Sequence, residues 1–104
     1  MKSKFSILGA GSWGTVLANL LANNGHECLM HTRNKRVYDS INSKRINEVY
    51  HPEFKIHENV KITKNLKEFS RFSDLWIIAV PSKEIPLIME GIDSQVLLSK
   101  EYII

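Results

Sequence analysis

Three glycines in Gly9-Ala10-Gly11-Ser12-Trp13-Gly14 have the spacing G-x-G-x-x-G, and the chemistry they suit is the holding of phosphate. Gly9 permits a tight turn. Gly11 has no side chain, so a pyrophosphate can approach the backbone. Gly14 lets a following helix pack close to a sheet. The first N–H groups of that helix lack intrahelical partners and lie at the positive end of its dipole, which suits an anion. The Ser12 hydroxyl adds a donor. With glycine at about 7% of residues, chance produces the spacing in roughly 3% of chains this long, so the flanking pattern must carry the argument.

That pattern is present. Lys4 to Leu8 reads as a strand, Thr15 to Asn24 as a Leu- and Ala-rich helix, and Glu27 to Thr32 as a second strand. Gly25 is a natural helix stop, since glycine takes a left-handed conformation without a Cβ penalty. Strand, glycine turn, helix and strand within about 30 residues is the context that dinucleotide binding requires. The helix's polar positions Thr15, Asn19 and Asn23 form one narrow stripe, and its leucines read as core.

The end of the second strand usually carries an acid when the ribose 2′-hydroxyl of NAD is bound. Here Arg33 stands there, with Lys35 and Arg36 close by. A guanidinium holds a 2′-phosphate through paired hydrogen bonds, so the position leans to NADP(H), with NAD(H) still admitted. The competing reading is a solvated basic loop. Arg33, Lys35, Arg36, Lys44 and Arg45 are opposed locally only by Asp39. No aromatic interleaving or nucleic-acid motif accompanies them, so nucleic acid is not the expected partner.

The remaining elements follow in order. Lys35 to Arg45 reads as a helix with Val37 and Ile41 on one side. Ile46 to Asn59 is a connection containing Pro52. Val60 to Thr63 reads as a third strand and Asn65 to Phe72 as a helix. The unbroken apolar run Leu75 to Val80 reads as a strand buried on both faces. Pro81 and Ser82 follow at its carboxyl end, where open parallel sheets bind ligands, which makes Pro81 a second candidate contact. Lys83 to Gly91 reads as a helix with Pro86 in its first turn, and Gln95 to Ser99 as the start of a fifth strand. The expected fold is α/β, a doubly wound parallel sheet of about four to five strands, incomplete.

The 104 residues, 43% apolar and 24% charged, fit one globular domain. A net charge of +3 is explained by a phosphate-bearing small molecule as well as by any polyanion. Cys28 is the one cysteine and sits in a predicted buried strand, so no internal disulfide forms and a reducing, cytoplasmic setting fits. Glycines and asparagines interrupt the N-terminal apolar run, which argues against a signal peptide. No run is long enough to span a membrane. His26, His31, His51 and His57 show no metal-ligand spacing and read as surface or loop histidines. No Ser, His and acid set suggests a triad.

The chain resembles the N-terminal part of bacterial-type NAD(P)-dependent glycerol-3-phosphate dehydrogenase. Leu8 to Thr15 with Leu17-Ala18, then Asn24 to Glu27, Arg33, Ile41-Asn42, Arg45, Asn47, Tyr50, Pro52, Glu58 to Val60 and Ala79 to Ser82 carry the resemblance over residues 4–83. It implies a Rossmann-like fold and hydride transfer between NAD(P)H and dihydroxyacetone phosphate, giving sn-glycerol 3-phosphate for phospholipid synthesis. It implies cofactor contacts at Ser12 and Trp13, at Arg33 and at Tyr50, and it leaves a homodimer open. The family lysine after the fifth strand, in a Lys-Gly pair, has a doubtful counterpart in Lys100, which Glu101 follows. Residues 1–104 therefore read as the first portion of an NAD(P)-binding domain, without the helical substrate domain or catalytic lysine, and inactive alone. A non-catalytic dinucleotide-sensing module and another NADP-dependent reductase of the same N-terminal fold are the alternatives.

Overall fold

Strand periodicity decides how the molecule is layered. In the computed structural model, which describes residues 2–103, Ile7 and Ile77 turn to one face of the sheet while Leu8 and Trp76 turn to the other, as alternation along a strand requires. Five parallel strands, β1 (Lys4–Leu8), β2 (Glu27–His31), β3 (Val60–Thr63), β4 (Leu75–Ile78) and β5 (Glu101–Ile103), pair in the order β3-β2-β1-β4-β5. The register aligns Leu8 with His31 and with Ile78, so three strand ends lie level.

One face is covered by α1 (Ser12–Asn23) and α2 (Lys35–Lys44). There Ala18, Ala22, Val37 and Ile41 pack on Ile7, Cys28, Met30, Val60 and Ile77. The other face is covered by α3 (Leu66–Phe72), α4 (Ile85–Met89) and α5 (Ser94–Leu98), with Phe69, Ile88 and Ile92 around Leu8 and Trp76. Winding outward from β1 to β3 and then back to β4 puts the helices on both faces, as right-handed crossovers dictate. The doubly wound α/β expectation holds.

Local chemistry sets most boundaries. Asn34 accepts from Val37 N–H and starts α2, and Asn65 accepts from the N–H groups of Lys67 and Glu68 and starts α3. Gly25, at φ +92°, follows α1. Pro86 sits in the first turn of α4, preceded by a short 3₁₀ turn, Ser82–Glu84.

Four expectations need correction. Residues 94–98 form α5 and not a strand, because Asp93 accepts from Gln95 N–H and caps a helix there. Val96 and Leu97 then reach the core while Leu98 is 87% exposed. The strand β4 stops at Ile78, so Ala79 and Val80 leave the sheet and are only half-buried. Leu20 on α1 faces solvent, while Thr15, part of the polar stripe, is buried. His31 lies within β2 at 3% exposure, so it is a core histidine.

Candidate functional site

The backbone turns sharply after β1 because it must pass beneath β4. Gly9 has φ +116°, and a Cβ there would lie 2.7 Å from the Ala79 carbonyl oxygen, so only glycine fits. Its N–H donates to the His31 carbonyl at 3.1 Å. Gly14 is packed against the turn itself, since a Cβ would run into the Gly9 carbonyl. Gly11 differs from both. A Cβ on it would meet nothing within 4 Å, so its backbone faces open space.

Gly11 is also the N-cap of α1, and no side chain caps this helix, whereas Asn34, Asn65 and Asp93 cap α2, α3 and α5. The first turn of α1 contains no acid. Its leading N–H groups and dipole are thus left for an anion.

Around this turn is a cavity of about 700 Å³ at the carboxyl ends of β1, β2 and β4. Gly9, Gly11, Ser12, Arg33, Tyr50 and Pro81 all line it. Gly14 lies beneath it as a packing position. Trp13 is 62% exposed and stands outside the lining. Ala79 and Val80 line it because β4 ends early, and His31, Thr32 and Glu84 join them.

The Ile46 to Asn59 connection turns out to be a strap that holds the turn. Asn47 is fully buried and donates to the Ala10 carbonyl at 2.8 Å and to Thr15 Oγ1 at 2.9 Å. Arg45, in a left-handed conformation at φ 57°, donates to the carbonyls of His57 and Val60 at 2.6 Å each. Asn19 of α1 accepts from His57 N–H at 2.7 Å. The polar stripe of α1 therefore grips this strap.

A Ser, His and acid set does come together here. His51 Nε2 is 3.0 Å from Ser12 Oγ and 3.0 Å from the Ser12 carbonyl, and Nδ1 is 3.2 Å from Glu53. The hydrogen bond from His51 holds the Glu53 carboxyl below its ordinary pKa. The ionised carboxylate only accepts, so Nδ1 carries a proton. The hydrogen bond between His51 Nε2 and the Ser12 hydroxyl ties the strap to the start of α1.

The basic cluster is more neutralised than its sequence suggests. Lys35 pairs with Asp39, Arg36 and Lys44 pair with Glu48, and Arg33 meets Glu84 at 3.5 Å. Arg45 is committed to backbone carbonyls. His31 is held below its ordinary pKa, first by burial and also by the charge of Arg33, against an opposing Lys64 backbone contact. Burial pushes the Cys28 thiol up to about 12.

Lys100 is far from this end of the sheet. It precedes β5, at the amino ends of the strands, and its Nζ donates to the Ser70 carbonyl at 2.7 Å and to Asp74 at 2.9 Å. Its side chain is 8% exposed. The described residues contain no cluster of three or more groups able to hold a metal, and no described helix is long and apolar enough to cross a membrane.

The family model for the N-terminus of NAD-dependent glycerol-3-phosphate dehydrogenase matches residues 4–104. The Halothermothrix orenii glycerol-3-phosphate dehydrogenase [NAD(P)+] is 40% identical over the whole chain, which covers 30% of that protein. The Staphylococcus carnosus enzyme of the same name is 41% identical over 97% of the chain and 30% of its own length. Among solved structures, glycerol-3-phosphate dehydrogenase from Coxiella burnetii superposes with a TM-score of 0.80 at 29% identity, over 95% of this chain and 30% of that one. The Saccharomyces cerevisiae enzyme shares the fold at a TM-score of 0.83 and 20% identity, over 98% of this chain and 33% of that one. The chain thus spans about 30% of the length of the curated relatives it matches. Its glycine turn and five-stranded sheet, together with the match over residues 4–104, mean that the chain belongs to the NAD-dependent glycerol-3-phosphate dehydrogenase family, in the part that forms that family's N-terminus.

Proposed function

We propose that this chain is the cofactor-holding part of an oxidoreductase that interconverts dihydroxyacetone phosphate and sn-glycerol 3-phosphate with NAD(P)H, feeding glycerophospholipid synthesis. The observation that carries the reading is Gly11. Its Cβ direction is open, it caps a helix that has no side-chain cap, and it lines the cavity with Arg33 and Pro81. Such a turn accepts a pyrophosphate because backbone N–H groups and the helix dipole meet it without a side chain between.

The roles then divide by position. Gly9 and Gly14 shape the turn, while Gly11 and the N–H groups at the start of α1 take the pyrophosphate, assisted by the Ser12 hydroxyl once it turns from His51 Nε2. The proposed further contacts are Trp13 from the helix start, Tyr50 from the strap and Pro81 beyond β4. Arg33, at the end of β2, takes the adenosine side, and as a guanidinium it favours the 2′-phosphate of NADP(H) over NAD(H). A nicotinamide held there would supply or accept the hydride. Half-buried Ala79 and Val80 form an apolar part of the cavity's wall. A reducing, cytoplasmic setting accords with Cys28 as a buried free thiol.

The test is direct. The chain is titrated into NADPH and the nucleotide fluorescence is followed, with AMP bearing a 2′-phosphate as competitor. Saturable, competable binding is expected. A chain that is folded by circular dichroism yet leaves NADPH fluorescence unchanged to millimolar protein would overturn the reading.

A further inference from the structure

Arg33 and Glu84 reach one another from opposite sides of the cavity. Arg33 follows β2, and Glu84 ends the 3₁₀ turn after β4. These strands flank β1 on either side. The two side chains meet at 3.5 Å and both residues line the cavity with Gly11. Of the other basic residues after β2, Lys35 is engaged by Asp39 and both Arg36 and Lys44 by Glu48.

A carboxylate is an unexpected lining group where phosphates are to be held, because like charges repel. A structural role does not explain it. The Arg33 and Glu84 side chains are 59% and 36% exposed, and an ion pair this open to water contributes little to stability. Nor does the Glu84 side chain cap α4. What the carboxylate does do is hold the guanidinium offered to a 2′-substituent.

We propose that Glu84 is a specificity-determining residue that sets the ratio of NADP(H) to NAD(H) affinity through its hold on Arg33. The inference rests on the dinucleotide reading above. A 2′-phosphate must take the guanidinium from Glu84 and sit near a negative charge. A ribose 2′-hydroxyl is a donor, and it finds in Glu84 the acceptor that the end of β2 lacks. One exposed pair therefore penalises NADP(H), serves NAD(H) and brings the two affinities together.

The experiment compares the parent chain with E84Q, E84A, R33Q and the R33Q/E84Q double variant, each titrated with NADPH and with NADH. E84Q keeps an acceptor but removes the charge. It is expected to lower the NADPH Kd about threefold to tenfold while moving the NADH Kd less than about twofold. E84A should also tighten NADPH, but weaken NADH. In the R33Q background the NADPH gain should shrink, because the competitor no longer has anything to hold and only its direct repulsion of the phosphate is left to relieve. Equal shifts for both nucleotides, no shift in either, or a gain undiminished by R33Q would overturn the role of Glu84. A parent chain that binds neither nucleotide would instead overturn the dinucleotide reading and this inference with it.

Discussion

Asn47 donates from one buried amide nitrogen to the Ala10 carbonyl at 2.8 Å and to Thr15 Oγ1 at 2.9 Å. One side chain from the strap thus fixes both the middle of the glycine turn and the start of α1. Asn47→Leu leaves that carbonyl without its donor in a buried setting, and a loss of about 1–3 kcal/mol in unfolding free energy is expected. Urea denaturation measures it. NADPH affinity should fall too, because the turn loses its brace. A variant as stable as the parent would show that the strap is dispensable.

Gly11→Val should abolish NADPH binding and leave the fold intact. The space at its Cβ is open to 4 Å, and its backbone has no positive φ to strain a valine. The added side chain would project into the region proposed for the pyrophosphate. Circular dichroism and fluorescence titration of the same preparation separate fold from binding. Parent-like affinity in a folded variant would remove the phosphate role from this turn.

Arg33→Asp should weaken NADPH binding by roughly 1–3 kcal/mol, the worth of a charge-assisted hydrogen-bond pair. NADH should lose far less. The new carboxylate would also stand against Glu84, now 3.5 Å from the arginine. Equal losses for both nucleotides would make Arg33 a solvated charge and nothing more.

His31 makes stability depend on pH. Its pKa in the fold lies below the ordinary 6.5, chiefly because burial disfavours the imidazolium. The unfolded chain therefore takes up the proton first as pH falls through about 6.5, and stability declines from that pH downward. Above it, His31 is neutral in both states and its contribution is complete. His31→Gln should flatten the decline, read from urea midpoints across this range. An unchanged slope would mean that His31 keeps its ordinary pKa in the fold.

Residues 1–104 should show no glycerol-3-phosphate dehydrogenase turnover by themselves. Hydride transfer needs the substrate carbonyl held near the nicotinamide and a group to stabilise the oxygen as it gains charge. The cavity lining offers Arg33 as its cation, and Lys100 sits at the other end of the sheet, bonded to Ser70 and Asp74. NADPH absorbance followed with dihydroxyacetone phosphate is the assay. Sustained oxidation dependent on this chain alone would contradict the division of labour proposed here.

The glycine turn, the strands on either side of it and α1 between them were legible in the sequence, because each depends on neighbours a few residues away. Glycine spacing, apolar runs and the stop at Gly25 are local signals, and the structure places Gly9, Gly11, Ser12, Arg33, Tyr50 and Pro81 around one cavity. Where local signals competed, the reading failed. The Val96-Leu97-Leu98 run suggested a strand, yet Asp93, one capping side chain, made it a helix. Only the tertiary structure decided the rest. Asn47 meets Ala10, His51 meets Ser12, and Glu84 meets Arg33 across long stretches of chain. Such pairs have no period and no spacing, because they form only when the parallel sheet brings separate strand ends level. For the same reason the basic stretch looked unopposed in sequence, although Arg36 finds Glu48 and Arg33 finds Glu84 in space, and His31 looked like a surface histidine until α3 covered that face of β2 and set the Phe69 ring against its imidazole.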